Sequence, residues 1–230
     1  MSIYANPNMR ERRVLGHEEV SRVLPGVSDE PLVDVRSYHD GIVAKYAKPD
    51  MQEYAGDVIY VRDMLAEQLR KVQNALAKES LGLLVVYGYR HPEVQTKYFN
   101  ARRGEIAAEH PELTGEALDA YTHNFVAIPS IGGHPAGAAV DLTILDSNGH
   151  PLDMGTAIAD YTHPERVRTD YPDLTFRQMG NRAILHDAMV DERFAPFYGE
   201  WWHFSYGDRE WGAFYDEPAM YDQVDFRPTA

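Results

Sequence analysis

Two short segments of the sequence place histidine and carboxylate side chains close together. In the first segment, His134 follows two glycines and Asp141 comes seven positions later. Glycine lets the backbone turn sharply or approach a site closely, and zinc accepts imidazole nitrogen and carboxylate oxygen as tetrahedral ligands. Taken alone, this pattern also fits a surface pair or a loop histidine whose hydrogen bonds are satisfied.

The second segment spans residues 199–203, where Glu200 stands three positions before His203 with two tryptophans between them. On a helix this spacing puts both side chains on one face, but the aromatic content favours a strand. A regular strand would send them to opposite faces. Both residues can serve one site only if Glu200 lies in a turn or bulge where the strand begins. Two core tryptophans with polar neighbours are the structural alternative.

Considered together, the segments predict a catalytic metal site. His134, Asp141 and His203 supply three ligands and leave a fourth position open, as in catalytic zinc sites. The sequence has no cysteine, so sulfur ligands are excluded, and we expect one zinc ion per chain. Glu200 would take a proton from the attacking water and pass it to the leaving amine. Arg90 follows a predicted buried strand and could stabilise an oxyanion, although capping the strand end is the alternative.

The elements that position these residues can be predicted from apolar spacing and turn residues. Residues 1–56 indicate short strands and loops. The resulting fold class is α+β, a small, mostly antiparallel sheet flanked by helices. The predicted elements are a helix from Val61 to Leu76 ended by Gly82, a strand at 83–87, a helix from Pro92 to about Ala108, a strand at 138–144 with a hairpin turn at 146–149, a helix at 176–190 and a strand at 201–206.

Composition predicts one soluble domain over residues 1–230, with 1–30 as a peripheral extension. The chain is 44% hydrophobic and 25% charged, which is ordinary for a globular protein. A net charge of -14 disfavours nucleic acid as a partner, because its binding depends on Lys and Arg. No segment is apolar for long enough to span a membrane. Arginines 10, 12 and 13 are followed by no apolar stretch, so we expect no secretory signal and a cytoplasmic protein.

These residues resemble the D-alanyl-D-alanine dipeptidases of the vancomycin-resistance type, zinc peptidases that share a fold with hedgehog signalling domains. The resemblance runs from about residue 31 to 214 and rests on four motifs in matching order. They are Gly88-Tyr89-Arg90, His134 to Asp141 followed by Leu142-Thr143, Leu152 to Gly155, and Glu200 to His203.

The resemblance implies the same roles that the residue types suggest for the three ligands, Glu200 and Arg90. It further implies a closed cavity in which free D-Ala-D-Ala is cut and longer peptides are rejected. Two departures concern the substrate. Gly132 stands where the family has a serine that lines the substrate pocket, and His91 interrupts the family's Arg-Pro, which could move it to the rim of the site. We therefore expect the substrate to be D-Ala-D-Ala or a related dipeptide that contains a D-amino acid.

Two other functions fit the sequence. A carboxypeptidase of the same fold would trim longer cell-wall peptides, and a zinc-stabilised binding module would bind without turnover. Glu200 and Arg90 argue against the binding module, because binding alone needs neither of them. For the dipeptidase, antibiotic resistance, cell-wall recycling and scavenging are all compatible settings, and the sequence carries no signal for an oligomeric state.

Overall fold

A computed structural model describes residues 12–228. Residues 1–11, which belong to the N-terminal segment where no secretory signal is expected, lie outside the described part. Seven α-helices and seven β-strands are present in the described residues. The helices are α1 (His17–Arg22), α2 (Gln52–Ala55), α3 (Asp63–Ala77), α4 (Pro92–Glu109), α5 (Gly115–His123), α6 (Phe176–Asp191) and α7 (Arg209–Tyr215). The strands are β1 (Leu32–Asp34), β2 (Val43–Ala44), β3 (Tyr60–Arg62), β4 (Gly82–Tyr87), β5 (Ala139–Leu145), β6 (Ala195–Pro196) and β7 (His203–Ser205).

The main sheet has five strands in the order β2-β4-β5-β7-β6. Only β2 and β4 run parallel, and the other three pairings are antiparallel. β1 and β3 form a separate antiparallel pair. The predicted α+β class with a small, mostly antiparallel sheet is confirmed.

Strand β5 lies at the centre of the sheet, and all seven of its residues are buried. Its valine, leucine and isoleucine side chains join the main hydrophobic core, which suits a strand covered on both faces. Asp141 and Thr143 are the polar residues of this strand, and Asp141 is its one ionisable residue. Its Cα pairs with Tyr87 on β4 and with His203 on β7, so the register fixes which side chains meet beside this carboxylate.

Helix α3 packs its apolar face into the same core, with Leu65, Leu69 and Val72 fully buried. Its predicted ends need correction. Val61 belongs to β3 and pairs with Val33, because the residues before Asp63 are needed for strand pairing. The helix ends at Ala77, not at Gly82, and the chain reverses through Ser80, whose φ is 59°. Gly82 instead begins β4.

Several short elements differ from the sequence prediction. Helices α1 and α2 lie in the region predicted to hold only short strands and loops, and α5 and α7 were not predicted either. The hairpin turn after β5 is confirmed, with the Gly149 amide donating to the Asp146 carbonyl at 2.9 Å. Within residues 12–228, every helix is too short or too polar to cross a membrane.

The last predicted strand, 201–206, is shorter in the structure. Trp201 and Trp202 lie in a turn, and β7 begins at His203. The Glu200 amide donates to the Phe197 carbonyl at 3.0 Å, and the His203 amide donates to the Glu200 carbonyl at 3.3 Å. Glu200 therefore lies in a turn just before the strand, which is the condition under which Glu200 and His203 can face one site.

Candidate active site

A short 3-10 turn, His134–Ala136, holds the first histidine. Gly137 follows with a φ of 68°, a value that favours glycine, and leads the chain into β5. The buried ring has its Nδ1 atom 2.8 Å from the Gly88 carbonyl oxygen. Because a carbonyl only accepts, Nδ1 carries the proton, and Nε2 keeps its lone pair. Nε2 lies 3.4 Å from Oδ2 of Asp141.

The second histidine reaches the same carboxylate from the neighbouring strand. Oδ1 of Asp141 lies 3.0 Å from Nδ1 of His203, and the rings of His134 and His203 have centroids 4.8 Å apart. One ligand atom from each of the three residues lies within 4.8 Å of the others. This donor set of two imidazoles and one carboxylate suits a divalent metal with an open coordination position.

Burial and mutual contact shift the pKa of each member of this group. Burial lowers the pKa of His134 to about 4. Burial alone would raise the pKa of Asp141, but the adjacent histidines hold it well below its usual range. His203 is also desolvated, yet its hydrogen bond to Asp141 raises its pKa to about 9. At neutral pH His134 is neutral and Asp141 is ionised, which are the forms that bind a metal, whereas His203 would have to lose a proton when a metal binds.

Glu200 lines the same cavity from the turn before β7. Its Oε1 accepts a hydrogen bond from the hydroxyl of Tyr161. Burial raises the pKa of Glu200 to about 7, whereas the bond from Tyr161 acts in the opposite direction. A carboxyl group whose pKa lies near neutrality can both accept and release a proton in that range.

Arg90 approaches the cavity from the end of β4. Its guanidinium carbon lies 4.4 Å from the ring centroid of Tyr87 and 5.2 Å from that of Tyr98, and Nη1 donates to Gln95 at 2.8 Å. Both tyrosine hydroxyls donate to Oδ2 of Asp50. Among the described residues, Nε of Arg90 is buried and has no hydrogen-bond partner. The side chain is thus held in place at the cavity wall by Tyr87, Tyr98 and Gln95.

A cavity of about 160 Å³ brings these groups together. Its walls include all three potential metal ligands, Glu200, Arg90 and Gly132. A Cβ atom at Gly132 would lie 3.3 Å from Cβ of Ala127 and 3.7 Å from Nε2 of Gln95. Sequence reasoning missed other polar residues of the wall, because none stands in a recognisable motif. They are Lys48, Gln95, Tyr98, His123, Tyr161 and Glu210.

His91 does not line this cavity. It is 2% exposed and caps the start of α4, where its ring accepts from the Glu93 amide. Nε2 lies 2.9 Å from Oδ1 of Asp225, and the ring stacks on Tyr54 with centroids 4.1 Å apart. His91 was expected at the rim of the site. The structure does not place it there, because capping α4 turns its ring away from the cavity.

Known proteins share the sequence pattern of this chain. The family described as D-ala-D-ala dipeptidase matches residues 38–225. A D-alanyl-D-alanine dipeptidase of Synechocystis sp. (strain ATCC 27184 / PCC 6803 / Kazusa) is 28% identical over 215 residues, covering 82% of this chain and 86% of the relative. The D-alanyl-D-alanine dipeptidase of Escherichia coli (strain K12) is 38% identical over 71 residues, covering 31% of this chain and 36% of the relative.

Among solved structures, VanYB in complex with D-Alanine-D-Alanine is similar with a TM-score of 0.46 and 15% identity. The similarity covers 91% of this chain and 94% of that one.

Proposed function

This chain belongs to the D-Ala-D-Ala dipeptidase family of metallopeptidases, and on that premise we propose that it is a zinc-dependent dipeptidase. The proposed substrate is D-Ala-D-Ala or a related dipeptide with a D-amino acid. One observation carries the proposal. His134, Asp141 and His203 converge within 4.8 Å in a cavity that Glu200 and Arg90 also line.

In this proposal His134, Asp141 and His203 hold one zinc ion per chain. The fit rests on donor chemistry, because Gly88 fixes the tautomer of His134 and leaves its Nε2 atom available. When bound, zinc supplies Lewis acidity toward the scissile carbonyl and makes water a stronger nucleophile near neutral pH.

Glu200 is the proposed proton carrier. Its position outside the group of three ligands leaves the carboxylate available as a base, and its pKa of about 7 suits that task. It accepts a proton from the attacking water and then donates it to the amine that leaves when the peptide bond breaks. The Tyr161 hydroxyl holds the carboxylate in position for both transfers.

Arg90 is the proposed oxyanion stabiliser. As the carbonyl becomes tetrahedral, negative charge develops on its oxygen, and a fixed guanidinium donor lowers the energy of that state. The rings of Tyr87 and Tyr98 restrict the side chain.

Cavity size supports a small substrate. A volume of about 160 Å³ is below the roughly 300–1,000 Å³ of pockets that hold drug-sized ligands. A second hollow of about 480 Å³ adjoins the first and shares Phe125, Tyr161 and Glu200 with it. This second hollow favours one alternative, a carboxypeptidase whose longer peptide extends into it.

The experiment is a panel of L,L, L,D and D,D dipeptides, with a pentapeptide ending in D-Ala-D-Ala as the comparison. The zinc-loaded protein is expected to cleave at least one dipeptide that contains a D-amino acid, and to cleave the pentapeptide much more slowly. Preferred cleavage of the pentapeptide would favour the carboxypeptidase. Absence of turnover at full zinc occupancy would contradict both and favour a binding module.

A further inference from the structure

Glu210 is a cavity residue that the proposed mechanism does not use. It lies in the first turn of α7 and contributes to the wall of the cavity. The adjacent Asp208 is already engaged, since it accepts from the Trp211 amide at 2.8 Å and from the Ser205 hydroxyl at 2.7 Å. By contrast, the Glu210 carboxylate makes no hydrogen bond or ion pair with any residue in the range 12–228.

Glu210 also stands outside the potential metal site. The group whose ligand atoms lie within 4.8 Å of one another contains His134, Asp141 and His203 and does not include Glu210. Burial raises the pKa of Glu210 to about 8, and the charges that act on it are those of His203, Asp208 and Glu200. A desolvated carboxylate without a partner is stabilised when a cation enters the cavity.

The lysine and the arginine of the cavity wall, Lys48 and Arg90, both lie close to the ring of Tyr98. The ammonium nitrogen of Lys48 is 5.3 Å from the ring centroid of Tyr98, and the guanidinium carbon of Arg90 is 5.2 Å from the same centroid. The carboxylates of Glu200 and Glu210 come instead from the chain around β7. A zwitterionic dipeptide would be oriented by this division, with its carboxylate toward Lys48 and its scissile carbonyl toward Arg90.

We propose that Glu210 binds the free α-ammonium group of the dipeptide. This inference rests on the proposed function, because it concerns the substrate of the same site. In a dipeptide the ammonium group is attached to the carbon next to the scissile carbonyl. In a longer peptide the same nitrogen belongs to an uncharged amide. A carboxylate at this place therefore selects free dipeptides and rejects the chain ends that a carboxypeptidase cuts.

A structural role for Glu210 makes a different prediction. Acidic side chains in the first turn of a helix stabilise it through the helix dipole. In that case Glu210→Gln lowers stability and leaves substrate preference unchanged. Glu116 is a matched control, because it is an exposed glutamate in the first turn of α5 and lies outside the cavity wall.

The test compares D-Ala-D-Ala with N-propanoyl-D-alanine, in which hydrogen replaces the ammonium group and nothing is added in size. The quantity measured is the ratio of kcat/KM for these two substrates, in wild type, Glu210→Gln and Glu116→Gln, all loaded with zinc. We expect wild type and Glu116→Gln to prefer D-Ala-D-Ala. Glu210→Gln should narrow the ratio by about tenfold or more, mainly through a higher KM for D-Ala-D-Ala.

An unchanged ratio in Glu210→Gln would overturn the inference, whatever happens to stability. If Glu210→Gln does not fold, Glu210→Ala serves in the same comparison. If wild type cleaves neither compound nor any other dipeptide, the proposed function itself fails. The two failures are thus distinguishable.

Discussion

Asp141 and His203 face each other across adjacent strands, with Oδ1 3.0 Å from Nδ1. The β5–β7 register pairs their Cα atoms, so the contact depends on backbone pairing as well as on the side chains. Asp141→Ala should therefore remove a proposed ligand without moving His203, because the strand pairing stays the same. We expect zinc affinity to fall by at least about 100-fold, measured by titration against a chromophoric chelator. Asp57→Ala, an exposed change outside the cavity wall, should leave the affinity unchanged, and an unchanged affinity in Asp141→Ala would exclude Asp141 as a ligand.

Arg90→Lys tests the oxyanion role. Lysine keeps the charge but loses the planar fork and the stacking on Tyr87 and Tyr98. We expect kcat to fall by about 100-fold while zinc content stays at the wild-type level. Arg102→Lys replaces another arginine that stacks on an aromatic ring, with its guanidinium carbon 4.7 Å from the Phe125 centroid, and should retain activity. Equal kcat in the two variants would show that Arg90 does not stabilise the transition state.

Tyr161→Phe tests the hydrogen bond to Glu200 through the pH profile. This bond favours the ionised carboxylate, so its loss raises the pKa of Glu200. A base works only when ionised, and kcat/KM is lost as pH falls through that pKa. We therefore expect the acid limb to move to higher pH in Tyr161→Phe, with a several-fold loss of activity below neutrality. Tyr38, which is 41% exposed and donates to Asp63 at 2.8 Å, provides the control variant Tyr38→Phe. An acid limb at the same pH in wild type, Tyr161→Phe and Tyr38→Phe would show that Tyr161 does not affect the pKa of Glu200.

Leu142→Ala tests how far the site depends on the central strand. Leu142 follows Asp141 in β5 and is fully buried in the main core. Truncating a buried leucine leaves a cavity and lowers the free energy of unfolding by about 2–5 kcal/mol. Urea unfolding of the metal-free protein measures this change. Leu24→Ala changes a side chain that is 78% exposed and should lower the free energy of unfolding far less. A comparable decrease in both variants would contradict the packing described for β5.

The elements that could be predicted from the sequence are those whose apolar residues recur at regular spacing. Helices α3, α4 and α6 are long enough for their apolar residues or a proline at the first turn to be informative. Helices α1 and α7 have only six and seven residues, too few turns to produce a pattern. The predicted start of α3 at Val61 was wrong. Val61 fits the apolar spacing of the helix, but it pairs with Val33 in a strand. Tertiary pairing decided that boundary.

In the candidate site, too, some residues could be predicted from the sequence and others could not. His134, Asp141, Glu200 and His203 stand in two short segments, so their chemistry was visible before their proximity was known. Glu210 carries no such signal, since it joins the cavity only through the packing of α7. The roles of the first four as ligands and proton carrier remain predictions, whereas the convergence of the three potential ligands is a structural fact.

Glu200→Gln tests most directly whether Glu200 transfers the proton during hydrolysis at the zinc site. The change keeps the size of the side chain and removes its basicity, and the exposed change Glu109→Gln is the control. Metal analysis and D,D-dipeptide turnover are measured on the same preparations. We expect one zinc per chain in both variants, with kcat reduced by about 10²–10⁴-fold only in Glu200→Gln. Full zinc content together with undiminished turnover in Glu200→Gln would contradict this role of Glu200.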